Sequence, residues 1–112
     1  MKITKREAGP VVVLDAQGDF CLLEVSKARE HFKELLANGA RGVVLNMTEV
    51  TKIDSSGIGA LVDFQKRLKA NGGHLALFKI NKHIRDIMEL TNIITFFDIF
   101  DVESEALSAV QT

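Results

Sequence analysis

The chain has 112 residues, 46% of them apolar and 26% charged, with 14 Lys and Arg against 15 Asp and Glu for a net charge of −1. That is an ordinary soluble globular profile, and the length suits one domain, residues 1–112, with a single core. It excludes the basic surface that nucleic acid or an anionic membrane asks for, and no apolar run approaches the roughly 20 residues of a membrane span.

The single cysteine, Cys21, has no partner for an internal disulfide and fits a reducing compartment. Met1-Lys2-Ile3-Thr4-Lys5-Arg6-Glu7 contains no apolar h-region, so no secretion signal and a cytoplasmic location are expected.

In chain order, Gly9-Pro10 predicts a turn that opens the chain with a hairpin, before a buried strand at Val11-Val12-Val13-Leu14 that Gly18-Asp19 ends. Val25, Ala28, Phe32, Leu35 and Leu36 form one face of a helix, with Lys27, Glu30, Lys33 and Glu34 elsewhere and Asn38-Gly39 as its stop. Gly42–Met47 is nearly all apolar, as a strand covered on both faces would be. A turn at Asp54-Ser55-Ser56-Gly57 leads into a helix patterned by Ile58, Leu61, Val62 and Leu68, which Asn71-Gly72-Gly73 ends. Phe64 falls at the edge of that stripe and is expected at the rim of the core, with contact to a partner as the alternative. His74–Phe78 is the next strand. Asn81 can cap a short helix bearing Ile84, Ile87 and Met88. Thr95–Phe100 reads as the last strand, with two of its three phenylalanines inward and one exposed. Asp101 can cap a final helix carrying Val102, Ala106, Leu107 and Val110. Alternating helices and strands imply a mostly parallel sheet, with helices on one face or both.

The Asp-Ser-Ser-Gly run holds the most chemistry. It lies where a strand hands over to a helix, and a helix start offers free N–H groups and a positive dipole end that suit an anion. Asp and Ser are also the best N-caps, and Gly eases a tight turn, so plain capping is the competing reading. Three cap-competent residues exceed what one helix start requires.

The stretch Val43-Val44-Leu45-Asn46-Met47-Thr48-Glu49-Val50-Thr51-Lys52-Ile53-Asp54-Ser55-Ser56-Gly57-Ile58-Gly59-Ala60-Leu61 resembles the core of STAS domains, and in particular bacterial anti-sigma factor antagonists. The resemblance extends to Gly18, Gly72-Gly73 and Leu90-Thr91-Asn92. It implies a small mixed sheet, an N-terminal hairpin then largely parallel, with helices mainly on one face. It also implies that Ser55 is the phosphoacceptor, with Asp54, Ser56 and Gly57 as its switch-site neighbours. The kinase would be the partner anti-sigma factor, a serine kinase. The unphosphorylated chain would bind that partner and release the sigma factor; phosphorylation would end binding, and a serine phosphatase would restore it. On this reading the protein is a substrate and a ligand rather than an enzyme, with no catalytic residue, no cofactor, no metal, no direct nucleic-acid contact and no membrane insertion. The alternative within the family is a non-switching STAS subunit of a stress-signalling scaffold or of a lipid or anion transport assembly.

One position departs from the family pattern. An Asp usual a few residues after the second strand's glycine is Cys21 here, and Asp19 lies two residues earlier. Leu22 and Leu23 beside it read as core, with an apolar docking patch as the alternative. Asp54 is expected to accept a hydrogen bond from the Ser55 or Ser56 hydroxyl or from a nearby amide, or else only to cap.

Other chemistries have less support. Cys21 has no pairing motif, and His31, His74 and His83 lack ligand spacing. Gly57-Ile58-Gly59 lacks the Gly-Lys-Ser/Thr of a phosphate loop, and no Gly-x-Ser-x-Gly elbow supports acyl transfer. A nucleotide-binding or enzymatic α/β domain is the third reading. It lacks a convergent acid, base and nucleophile.

Overall fold

Gly9, at φ +61°, turns β1 (Lys2–Ala8) back on β2 (Val11–Phe20), and the two pair antiparallel from Ala8↔Val11 to Lys2↔Gln17. In the computed structural model, which describes residues 1–111, β3 (Gly42–Ile53), β4 (His74–Phe78) and β5 (Asp98–Phe100) then add in parallel, giving the order β1-β2-β3-β4-β5. The crossovers carry α1 (Val25–Ala37), α2 (Ser55–Ala70) and α3 (Lys82–Leu90), and α4 (Glu103–Val110) follows the last strand.

The sheet is apolar on both faces where its centre lies. Leu14, Val43, Leu45, Leu75 and Leu77 face α1, α2 and α3, and join Phe32, Leu61, Phe64 and Ile84 in the main cluster. Val11, Val13, Val44 and Ala76 face the other way and are covered by Ala106 and Val110 of α4. Three helices therefore share one face and the fourth has the other, as expected of a mixed sheet with helices mainly on one side. Arg6 of β1 bonds Asp15 of β2 at 2.7 Å and also pairs with Glu103, tying α4 to the hairpin.

Several elements differ from expectation. Gly18 does not end β2: at φ +112° it sits in an irregularity of the ladder, and the strand continues to Phe20. β3 likewise runs beyond Met47 to Ile53. Its register against β2 slips, pairing Asp15 with Asn46 but Gln17 with Glu49. The buried positions there become Met47, Val50 and Ile53, a spacing that hides a strand from a period-two reading.

Thr95–Phe100 is not one strand. Ile94–Phe96 form a short 3₁₀ turn, and β5 holds only three residues. Gln65 of α2, 2% exposed, donates its side-chain amide to the Phe96 carbonyl and so supports the turn. Phe97 is buried while Phe96 and Phe100 are half-buried, so none of the three is exposed. Asp101 does not cap α4; the N-cap position is Val102, without a side-chain bond. Phe64 is 1% exposed and lies in the core centre instead of its rim, stacked on Phe32 with ring centroids 4.1 Å apart.

Candidate functional site at the start of helix α2

β2 and β3 outrun their neighbours. β4 pairs with β3 only from Gly42 to Asn46, whereas β2 follows β3 to Phe20↔Ile53. The far end of this two-stranded arm delivers the chain into α2 at the carboxyl ends of the parallel strands, the usual ligand side of such sheets. Asn81 supports the arm from the next loop. Its Nδ2 donates to the carbonyls of Val50 and Thr51, each at 3.1 Å, while its Oδ1 accepts from the Ile84 amide at 2.8 Å and caps α3 as expected.

Asp54 is the N-cap of α2. Its backbone is extended, and its Oδ1 accepts from the Gly57 amide at 3.1 Å. The second oxygen, Oδ2, accepts from the Leu22 amide at 3.0 Å. The carboxylate thus joins the loop after β2 to the first turn of α2. It bonds amides and not the neighbouring serine hydroxyls. These amides, Leu22 first and then Gly57, hold its carboxyl below the usual aspartate value.

A depressed carboxyl stabilises the fold above the unfolded value, and that contribution is lost as pH falls through the folded value. Asp54→Ala is therefore expected to melt below the wild type at pH 7, with the gap closing only under acid conditions beneath the ordinary aspartate value of 3.8. Thermal melts of both proteins from pH 7 to pH 2.5 check this. A gap that stays constant to the lowest pH would exclude the carboxylate as its source.

Ser55 is the first residue of the helix and is exposed, whereas Ser56 is half-buried. Gly57 is buried for a steric reason: a Cβ there would meet the Phe20 carbonyl oxygen at 2.1 Å and the Phe20 ring at 2.6 Å. Its lack of a side chain lets α2 dock against the end of β2. From Ser55 a groove of about 400 Å³ runs along α2, lined by Ile58, Val62 and Lys66 and closed by Ile93.

Leu22 and Leu23 are 67% and 91% exposed, which removes them from the core where they were expected. Their loop is held at its ends, with the Glu24 and Val25 amides donating to the Cys21 carbonyl and the Leu22 amide to Asp54, leaving both side chains outward. Cys21 is half-buried. Burial, then the nearby Asp54 and Asp19, push its thiol pKa up, so a neutral group stands there. Asp19 is occupied elsewhere, accepting from the Thr51 hydroxyl at 3.0 Å. Among the described residues no group of three or more His, Cys, Asp or Glu side chains could hold a metal ion, and no helix is long and apolar enough to cross a membrane.

The family model of the STAS domain matches residues 2–106. The chain belongs to the STAS family. Among its relatives is a Thermotoga neapolitana protein provisionally named an anti-sigma factor antagonist, 34% identical over 80 residues and covering 71% of each chain. The anti-sigma-B factor antagonist of Listeria monocytogenes is 33% identical over 66 residues, 57% of this chain and 58% of that one. A crystal structure of a provisionally named Thermotoga maritima anti-sigma factor antagonist superposes with a TM-score of 0.91 at 26% identity, over 98% of this chain and 95% of the other. The Bacillus cell-fate determinant SpoIIAA in its phosphorylated form shares the fold, with a TM-score of 0.74 at 19% identity. The STAS sheet expected from the sequence, a hairpin followed by parallel strands, is the one observed. In this STAS domain the Asp-Ser-Ser-Gly run forms the start of α2, next to the exposed loop at Leu22-Leu23.

Proposed function

We propose that this STAS domain is an anti-sigma factor antagonist switched at Ser55. Its unphosphorylated form binds an anti-sigma factor that is a serine kinase and thereby frees the sigma factor. Phosphorylation of Ser55 by that kinase ends the binding, and a serine phosphatase restores it. The observation that carries this reading is the exposure of Ser55 at the first position of α2, beside a capping carboxylate already committed to two backbone amides.

The physical consequences follow from that placement. Phosphoserine carries about −1.5 to −2 charges at neutral pH. The dipole at the start of α2 favours added negative charge, so the fold tolerates the modification. Asp54, kept ionised by its amide bonds, stands next to the phosphate and adds a like charge to the same surface. Leu22 and Leu23 offer the partner an apolar contact on one flank, and the groove past Ser55 offers another. The phosphate acts in trans, by bringing charge and bulk into a surface that the partner must desolvate. The chain is then ligand and substrate, without chemistry of its own.

The test is a pull-down from host lysate with Ser55→Ala and Ser55→Asp as baits, read by mass spectrometry alongside their melting curves. The Ala bait is expected to recover a serine-kinase anti-sigma factor at least tenfold above the Asp bait, with both baits melting within a few degrees of the wild type. Recovery of one set of transporter or scaffold proteins by both baits would make Ser55 a simple cap and the domain an assembly module.

A further inference from the structure

Nothing inside the chain requires a glycine at position 59. It lies within α2, where glycine is less favourable than alanine. Its φ is not positive, and a Cβ there would meet nothing within 4 Å. Gly57 is needed for the close approach of Phe20, whereas Gly59 is exposed. What its missing side chain leaves open is part of the groove beyond Ser55, whose walls are Ile58 and Val62 of α2 and Ile93. These three side chains are half-buried, so each keeps apolar surface on the outside.

α2 therefore carries two seams. One, through Gly57, Ala60, Leu61, Phe64 and Leu68, is buried in the domain. The other runs along the groove through Ser55, Gly59, Val62 and Lys66. Its spacings of four, three and four residues are those by which one helix packs along another. This outer seam is its own complement. With two copies of α2 laid antiparallel, Ser55 falls opposite Lys66 and Gly59 opposite Val62, and a twofold axis repeats both pairings. Val62 of each copy fills the notch over Gly59 of the other. Lys66 of each copy reaches the end of α2 that carries the Asp54 carboxylate. Lys66 is exposed and makes no ion pair among the described residues, so its charge is free for that contact. The antiparallel sense also brings opposite ends of the two helix dipoles together. A partner of different sequence would need only one half of this match; the seam supplies both.

We propose that the outer face of α2 is a homodimer interface, with a second copy of this chain lying antiparallel along Ser55, Gly59, Val62 and Lys66. At 1.5 Å per residue the seam is about 16 Å long. That places the contact at the low end of specific interfaces, and the pairing is weak and reversible. Pairing covers Ser55, so self-association restrains any protein that must reach that residue, and dilution lifts the restraint. The interface does not depend on the phosphoswitch: the seam pairs whether or not Ser55 is ever modified.

Sedimentation equilibrium of the full chain from about 10 μM to about 1 mM tests this, with amide NMR shifts followed over the same dilution. A monomer–dimer equilibrium is expected, with the shifts centred on α2 from Ser55 to Lys66 and on Ile93. Gly59→Leu fills the notch, and Lys66→Glu sets a second carboxylate against Asp54. Each is expected to raise the dissociation constant tenfold or more. Both positions are exposed and the space over Gly59 is open, so both variants should keep the fold, which their melting curves verify. A chain that stays monomeric at the highest concentration, a dimer of unchanged strength in both variants, or dilution shifts centred on β1 or α4 would each overturn the proposal.

Discussion

Gly57→Ala is expected to unfold about 10 °C below the wild type, while Gly59→Ala melts at the same temperature or a few degrees higher. Both glycines lie in the first turns of α2, and both substitutions raise helix propensity equally. They differ in what a methyl group would touch. At Gly57 it meets the Phe20 carbonyl oxygen at 2.1 Å, the Phe20 ring at 2.6 Å and Ile53 at 2.8 Å. The first of these is backbone, so rotation of a side chain brings no relief. Either α2 backs away from β2 or the end of the β2–β3 arm bends. Overpacking of this kind costs about 1–3 kcal/mol and at times more, and a backbone obstacle places Gly57 at the upper end. At Gly59 nothing lies within 4 Å, and replacing a helical Gly by Ala there contributes about 0.5–1 kcal/mol. Calorimetry on the pair checks the contrast. A Gly57→Ala protein melting within 2 °C of the wild type would mean that α2 does not sit this close to β2.

Phe64→Ala should be the most destabilising single truncation in α2. The ring is 1% exposed and stacks on Phe32 at 4.1 Å with an interplanar angle of 3°. It joins α2 to α1 over the sheet. Phe→Ala in such a position costs about 3–5 kcal/mol, from lost transfer energy and the void left behind, which at about 4 °C per kcal/mol is a fall of some 12 °C or more. Phe64→Leu keeps much of the volume and should lose about 1–1.5 kcal/mol. Urea midpoints measure both. Equal midpoints for the two variants would show that the ring geometry, and not the filled volume, is what matters there.

Much of this was legible in the residues. Helix α1 followed from its apolar spacing, and the hairpin from Gly9-Pro10. Asn81 was recognised as a cap because its residue type and place before Ile84 leave few other roles. Asp54 was placed correctly at the start of α2, and the amide acceptor role was among its expected roles. What stayed hidden depends on partners far along the chain. The Leu22 amide reaches Asp54 across 32 positions of sequence, and no local pattern predicts that pairing. Leu22 and Leu23 look like core by hydrophobicity; only the bonds that pin their loop turn them outward. Thr95–Phe100 reads as a longer strand than β5 because the run is rich in strand-forming residues. The bond from Gln65 to the Phe96 carbonyl lies outside that window. Phe64 reads as rim because the stripe on α2 defines only a face, whereas its burial comes from Phe32 on another helix.

Asn81 substitutes for a missing strand at the free side of β3. Beyond Asn46 no β4 residue pairs with β3 on that side, and two carbonyls are held instead by one amide group. A ladder opens cooperatively with its neighbours, but a side-chain tether can let go alone. Local opening of the arm is thereby separated from global unfolding. In native-state hydrogen exchange, amides near Val50 and Thr51 should exchange through a low-energy opening that leaves the protected centre at Val43–Leu45 untouched, and Asn81→Ala should speed the former while sparing the latter.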